Sequence, residues 1–149
     1  MKRPIIVWLL FLGLVFLGFG GLYGGISMLL DPSGVLLSMD TVLPQLGIPN
    51  YILPGLFLIS VMGIWPLFLV YALFTKPAWP FLAGISTWNQ IHWAWTATGL
   101  TALILFIWLF IQGMLIGFIW PIQYITGFNG AFILLLLILP PIRNHFVTE

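Results

Sequence analysis

Charge is what this sequence has least of. Its 149 residues include four basic and three acidic side chains, 5% of the chain, while 62% are hydrophobic. A soluble domain carries about a quarter charged residues and needs polar groups over much of its surface. So few charges cannot cover a water-facing surface, and the solvent for most of this chain is lipid. Cysteine is absent, which removes disulfides, thiolate nucleophiles and thiolate metal sites together. With a net charge of +1 and no run of Lys or Arg, nothing recruits a nucleic acid. Only two histidines are present, and of the titratable residues His, Asp, Glu, Lys and Arg the apolar segments hold His92 alone. General acid–base chemistry wants a pair of such groups. Ser60 has no plausible base within reach, and no Ser/His/Asp pattern, metal-ligand cluster or phosphate-binding glycine loop occurs. The sequence leans away from an enzyme, and the lack of embedded charge leans away from an ion pump.

What is present is long apolar runs, with a mean hydropathy of +1.18. Crossing a hydrocarbon core of roughly 30 Å takes about 20 residues of helix. The first run, residues 5–30, is too long for the apolar core of a cleaved signal peptide and is expected to stay as a span. The second is residues 51–75. Between Lys76 and Arg143 no charged residue occurs, and that stretch suits two helices joined by a turn. Thr87-Trp88-Asn89-Gln90 reads as a capping box, which starts the third helix near 88 and runs it to about 117. Pro121 suits the first turn of the fourth, which the pair Pro140-Pro141 stops, giving residues 121–141. The expected fold class is therefore an all-α membrane protein, a single transmembrane domain forming a four-transmembrane-helix bundle. Alternation of apolar and polar residues, the mark of a barrel, is missing. With four spans Lys2, Arg3, Lys76 and Arg143 fall on one side, and the external loop holds Asp31 and Asp40 with no cation. That places both termini in the cytoplasm. Trp8, Trp79 and Trp88 then fit one aromatic belt and Trp120 the other, while Trp65 and Trp108 lie too deep for either.

Several features inside the spans carry candidate roles. Gly20/Gly24 and Gly21/Gly25 on the first helix, and Gly113/Gly117 on the third, have small-xxx-small spacing. This spacing lets backbones approach closely, either within the chain or against a partner subunit or second copy. Asp31-Pro32-Ser33-Gly34 reads as a turn, with a cation or proton site at Asp31 as the sharper alternative. The apolar loop after it suggests a segment lying on the membrane or capping the bundle. Pro66, in the middle of the second helix, deprives the Met62 carbonyl of its donor and predicts a kink. His92, with Trp88 and Trp95 at i−4 and i+3, presents an imidazole beside aromatic rings. Such a group either ligates the metal of a haem or chlorophyll or is satisfied by an interfacial hydrogen bond. Asp31, Gln112, Gln123 and Asn129, with Tyr124 and Thr126, gather polar groups toward the external side. They serve as interhelical glue or as a pocket for a quinone, lipid or pigment carbonyl.

At Gly24-Gly25, at Leu29-Leu30-Asp31-Pro32-Ser33-Gly34 and at Tyr51-Ile52-Leu53-Pro54-Gly55, the sequence resembles uncharacterised small four-span bacterial membrane proteins. In these a DPSG-like turn follows a glycine-rich first span and a "YLIPG"-like phrase opens the second. The likeness extends over most of the chain, to Trp108, Gln112, Gly117 and Pro121-Ile122-Gln123. Where that group often has several basic residues between spans two and three, this chain has only Lys76. The resemblance implies a bacterial inner (plasma) membrane and carries no activity with it. Together these features lead to the expectation of a non-catalytic accessory or scaffold subunit of a larger membrane complex. Its partners would be the lipid bilayer and other membrane subunits, or further copies of itself. A quinone-, haem- or chlorophyll-binding protein and a small oligomeric transporter or channel are the alternatives.

Overall fold

The structure, a computed structural model, describes residues 3–82, 84 and 90–147. Four helices are long and apolar enough to cross a membrane: α1 (Ile5–Leu30), α2 (Ile52–Thr75), α3 (Trp93–Ile116) and α4 (Pro121–Ile138). A short α5 (Pro140–His145) follows. Neighbours in sequence pack side by side, and α4 closes the ring against α1, so that α1 faces α3 and α2 faces α4 across the bundle. Extended pairing among the described residues is limited to one bridge, Ile91 with Val147. The core runs along Val7, Leu10, Leu14, Leu69, Leu73, Leu105 and Ile133. Outside it the surface is apolar: Phe128 is 77% exposed and Met114 72%. Such a surface is stable only against lipid.

The glycine spacing of α1 is used within the chain. A Cβ on Gly21 would lie 2.4 Å from the Met62 carbonyl, and one on Gly25 would lie 2.6 Å from the Gly55 oxygen. Only Gly permits this approach, since any Cβ would meet the facing backbone. Gly18 belongs to the same ridge, set against Leu67 and the Gly63 oxygen, which the small-xxx-small reading did not include. Gly20 and Gly24 lie a hundred degrees further round the helix, and Gly20 has no neighbour within 4 Å. Gly113 is covered by the ring of Phe118, whereas Gly117 turns the chain at φ +76°. The Gly113/Gly117 pair therefore shapes the end of α3 rather than a helix–helix contact.

The break in α2 takes a different form from a sharp proline kink. Residues Leu58–Ile64 adopt π-helical bonding immediately before Trp65-Pro66. Trp65 N–H donates to the Ser60 carbonyl, slipping the register by one residue ahead of the proline's missing donor. The Ser60 hydroxyl bonds the Leu56 carbonyl at 2.7 Å.

Two helix boundaries are corrected. α3 begins at Trp93 rather than near 88, because Gln90 is left-handed (φ +55°) and the His92 side chain caps the helix. Of the expected capping box, Thr87, Trp88 and Asn89 lie outside the described residues. α4 ends at Ile138, where Leu139 is extended. Pro140 then opens α5, since proline stops one helix and suits the first turn of the next. The tail after α5 folds back: Phe146 is fully buried, and its carbonyl accepts from His92 N–H at 2.8 Å.

The deep tryptophans are packing elements. Trp65 Nε1 donates to Thr101 Oγ1 at 3.0 Å, tying α2 to α3, and Trp108 stacks on Phe57 with centroids 4.5 Å apart.

Candidate functional site

Along the half of the bundle next to the 31–50 loop, α1 and α3 stand apart across a cavity of about 390 Å³. The ridge Gly20/Gly24 forms part of its wall: Gly20 has no neighbour within 4 Å, and Gly24 meets only the end of Leu58. Phe16, Met62, Leu105 and Trp108 line it, and Phe57 backs Trp108 from behind. Tyr23 and Ile122 also line it while remaining largely exposed, so the cavity opens sideways onto the apolar outer surface.

The loop closes the end of this space. Asp31 accepts from the Ser33 hydroxyl (2.5 Å), Ser33 N–H (3.2 Å) and Leu36 N–H (2.7 Å). The Ser33 hydroxyl holds its carboxyl below the usual 3.8, with the Leu36 amide adding to the effect. Three donors on one carboxylate describe a turn, and this is the geometry the DPSG reading expects. Tyr51 is buried: its N–H donates to the Pro32 carbonyl (2.9 Å) and its hydroxyl to the Met39 carbonyl (2.8 Å). Gly34, at φ +87°, lets the Tyr51 ring lie against the backbone where a Cβ would meet it at 2.5 Å. The loop is thereby folded over the bundle, with Leu37 and Met39 facing the cavity.

The polar residues Asp31, Gln112, Gln123, Thr126 and Asn129, grouped on the external side by sequence, separate into four sets. Gln112 and Thr126 line the cavity, and their side chains make no hydrogen bond among the described residues. Gln123 also lines it, but its Oε1 accepts from Trp120 N–H at 3.1 Å and its Nε2 donates to the Gly117 carbonyl at 3.3 Å, fixing the α3–α4 turn. Asn129 lies elsewhere, donating to the Gly13 carbonyl at 3.0 Å between α4 and α1, while Asp31 stays in its turn. Trp120 contributes its ring to the wall, but its Nε1 is buried among protein atoms without a partner.

His92 sits at the opposite end. Its Nδ1 accepts from Ala94 N–H at 3.3 Å, and Nε2 lies 3.1 Å from the Pro77 carbonyl. A carbonyl only accepts, so Nε2 carries the hydrogen and the ring is the neutral tautomer with both nitrogens engaged. Burial pushes its pKa below the usual 6.5, partly opposed by the bond to Pro77. A metal ligand would have to give up one of these bonds. Trp93 shares the Pro77 carbonyl (3.0 Å), while Trp95 donates to the Leu137 carbonyl at 3.2 Å as an α3–α4 tie. Trp88 lies outside the described residues. The structure thus brings together the Gly20/Gly24 ridge, Gln112 and Gln123, and leaves His92 and Trp95 in separate structural roles. Sequence reading had no signal for Phe16, Met62 or Leu105 as cavity residues, because apolar side chains look alike whether they fill a core or line a void.

No protein-family model, curated protein or solved structure matches this chain.

Proposed function

We propose that this is a non-catalytic membrane protein that holds an uncharged, long-chain amphiphile in the cavity between α1 and α3. The observation carrying this reading is the pairing of an apolar trough with two unbonded polar side chains, Gln112 and Thr126. Ligand cavities are usually about 300–1,000 Å³, mostly apolar, with a few polar groups that orient the ligand. Polar groups inside hydrocarbon find partners. An amide and a hydroxyl each donate and accept, so they suit a carbonyl or hydroxyl head. Among the described residues no charged side chain lines the cavity, which disfavours an ionised head. The lateral opening lets a chain longer than the cavity continue into the bilayer. Within the wider expectation of a quinone, haem or chlorophyll ligand, this favours the quinone-like class, because the site is far from His92.

The setting proposed is a bacterial inner membrane with both termini cytoplasmic. Arg3 and Lys76 lie at one end of the bundle, and Asp31 and Asp40 at the other, which supports that orientation. An accessory place in a larger assembly belongs to the same proposal, and mass spectrometry of co-purifying chains tests it. The ligand is tested by extracting lipids from protein purified in mild detergent. A stoichiometric neutral amphiphile is expected, reduced at least several-fold by Gln112→Leu and displaced by Gly20→Leu, which fills the trough. Folded wild-type protein carrying no neutral amphiphile above the detergent background would sink the reading. So would an unchanged load in both variants.

A further inference from the structure

At the end of the bundle away from the cavity two cations, Arg3 and Lys76, make no ion pair among the described residues. Arg3 donates from Nη2 to the Phe74 carbonyl at 2.8 Å, and its guanidinium carbon lies 3.8 Å over the Phe74 ring. Two residues later Lys76 ends α2 in the left-handed region, which turns its side chain off the helix. Its ammonium bonds the His145 carbonyl and lies 5.0 Å over the Phe146 ring. Both cations are therefore held by a backbone carbonyl and an aromatic face, and each spends a single N–H on the protein. Four guanidinium donors and two ammonium donors remain. No ion pair forms among the described residues at this end, and Asp31 and Asp40 belong to the opposite loop. Lys76 is depressed below its usual 10.5, chiefly by burial and secondarily by the charge of Arg3. The fold thus sets both cations at the Phe74–Lys76 end of α2, where an anion relieves their mutual repulsion.

The surroundings say which anion. Beside Arg3 the surface is aromatic and exposed: Trp8 packs edge-on to Phe11 (5.6 Å) and to Phe74 (6.4 Å), with Trp8 52% exposed. Tryptophan with an exposed apolar flank marks the headgroup level of a bilayer. A planar guanidinium fork beside an ammonium matches the oxygens of a phosphate. We propose that Arg3 and Lys76, at the α1–α2 end, form a clamp for the phosphate of an anionic phospholipid whose acyl chains lie along Trp8 and Phe74. This site is independent of the cavity ligand.

Arg143 supplies the control, since its side chain makes no hydrogen bond or ring contact among the described residues, and Arg143→Gln removes one positive charge, as Arg3→Gln and Lys76→Gln each do. Full-length protein in mild detergent would be titrated with phosphatidylglycerol, phosphatidylcholine or inorganic phosphate, following retained lipid by native mass spectrometry and the melting temperature. Phosphatidylglycerol is expected to be retained and to raise the melting temperature, and phosphatidylcholine and phosphate to do neither. The double variant Arg3→Gln/Lys76→Gln should bind roughly 30-fold more weakly, the equivalent of about 1 kcal/mol per cation. Arg143→Gln should bind as wild type. Because the wild-type lipid comparison needs no variant, a poorly folding mutant does not protect the idea. Equal retention of both lipids overturns it, as does an equal loss in Arg143→Gln. Phosphate alone reproducing the shift would assign the site to a free anion and remove the lipid.

Discussion

Substituting Gly21 by Ala tests the backbone contact between α1 and α2. The new Cβ would meet the Met62 carbonyl carbon and oxygen at 2.4 Å and Gly63 N at 2.7 Å, where ordinary contact begins at 3.4 Å. All three atoms are backbone, so no side chain can swing away, and α1 must part from α2 by about 1 Å. A gap of that size forfeits up to half of the dispersion energy for the facing atoms, and overpacking of this kind costs about 1–3 kcal/mol. Against that, Ala gains roughly 0.5–1 kcal/mol over Gly within a helix. Gly20→Ala receives the same gain with nothing within 4 Å of its Cβ. The difference between the two variants therefore isolates the contact, and Gly21→Ala should be the less stable by about 1–3 kcal/mol. Thermal unfolding in mild detergent, followed by tryptophan fluorescence, reads that difference as a shift of several degrees. Gly24, whose Cβ meets only the end of Leu58 at 3.4 Å, should behave like Gly20. If Gly21→Ala melts with Gly20→Ala or above it, α1 and α2 do not meet through the glycine ridge and the packing argument fails.

Asn129→Ala removes the α4-to-α1 bond onto the Gly13 carbonyl and should cost about 0.6–1.7 kcal/mol, measured by the same melts. Trp95→Phe keeps the ring packing but loses the bond to the Leu137 carbonyl, so a loss of about 1 kcal/mol is expected; an unchanged melting temperature would refute the tie. Acidification should destabilise the fold. Burial, with the charge of Lys76 adding to it, holds His92 and His145 below their usual 6.5, so the unfolded chain binds more protons. Stability falls as pH drops below about 6.5 and levels off once the lowered folded-state pKa values are passed. Melts across pH should show this slope, and His92→Asn, which still caps α3 without titrating, should reduce it.

Composition and run length alone determined that the chain forms four helices long and apolar enough to cross a membrane, because seven charges cannot be distributed over a water-exposed surface. Turn chemistry was equally legible: Asp31-Pro32-Ser33-Gly34 forms its turn through local hydrogen bonds that any such tetrapeptide can make. The start of α3 was not, since a capping box at 87–90 and a histidine cap at 92 are both locally acceptable. The contacts from Pro77 and Phe146, far away in sequence, accompany the second. The glycine ridges show the same division. Their spacing says that backbones can approach, but only the packed structure decides that Gly21 and Gly25 meet the α2 backbone while Gly20 meets nothing and Gly24 only the end of a side chain. Likewise Gln112, Gln123, Asn129 and Asp31 form one group by hydropathy, and tertiary structure sorts them into a cavity wall, a helix turn, an interhelical tie and a loop. A periodic sequence specifies which face of a helix a residue occupies. Which neighbour, or which empty space, that face meets depends on how all four helices pack at once.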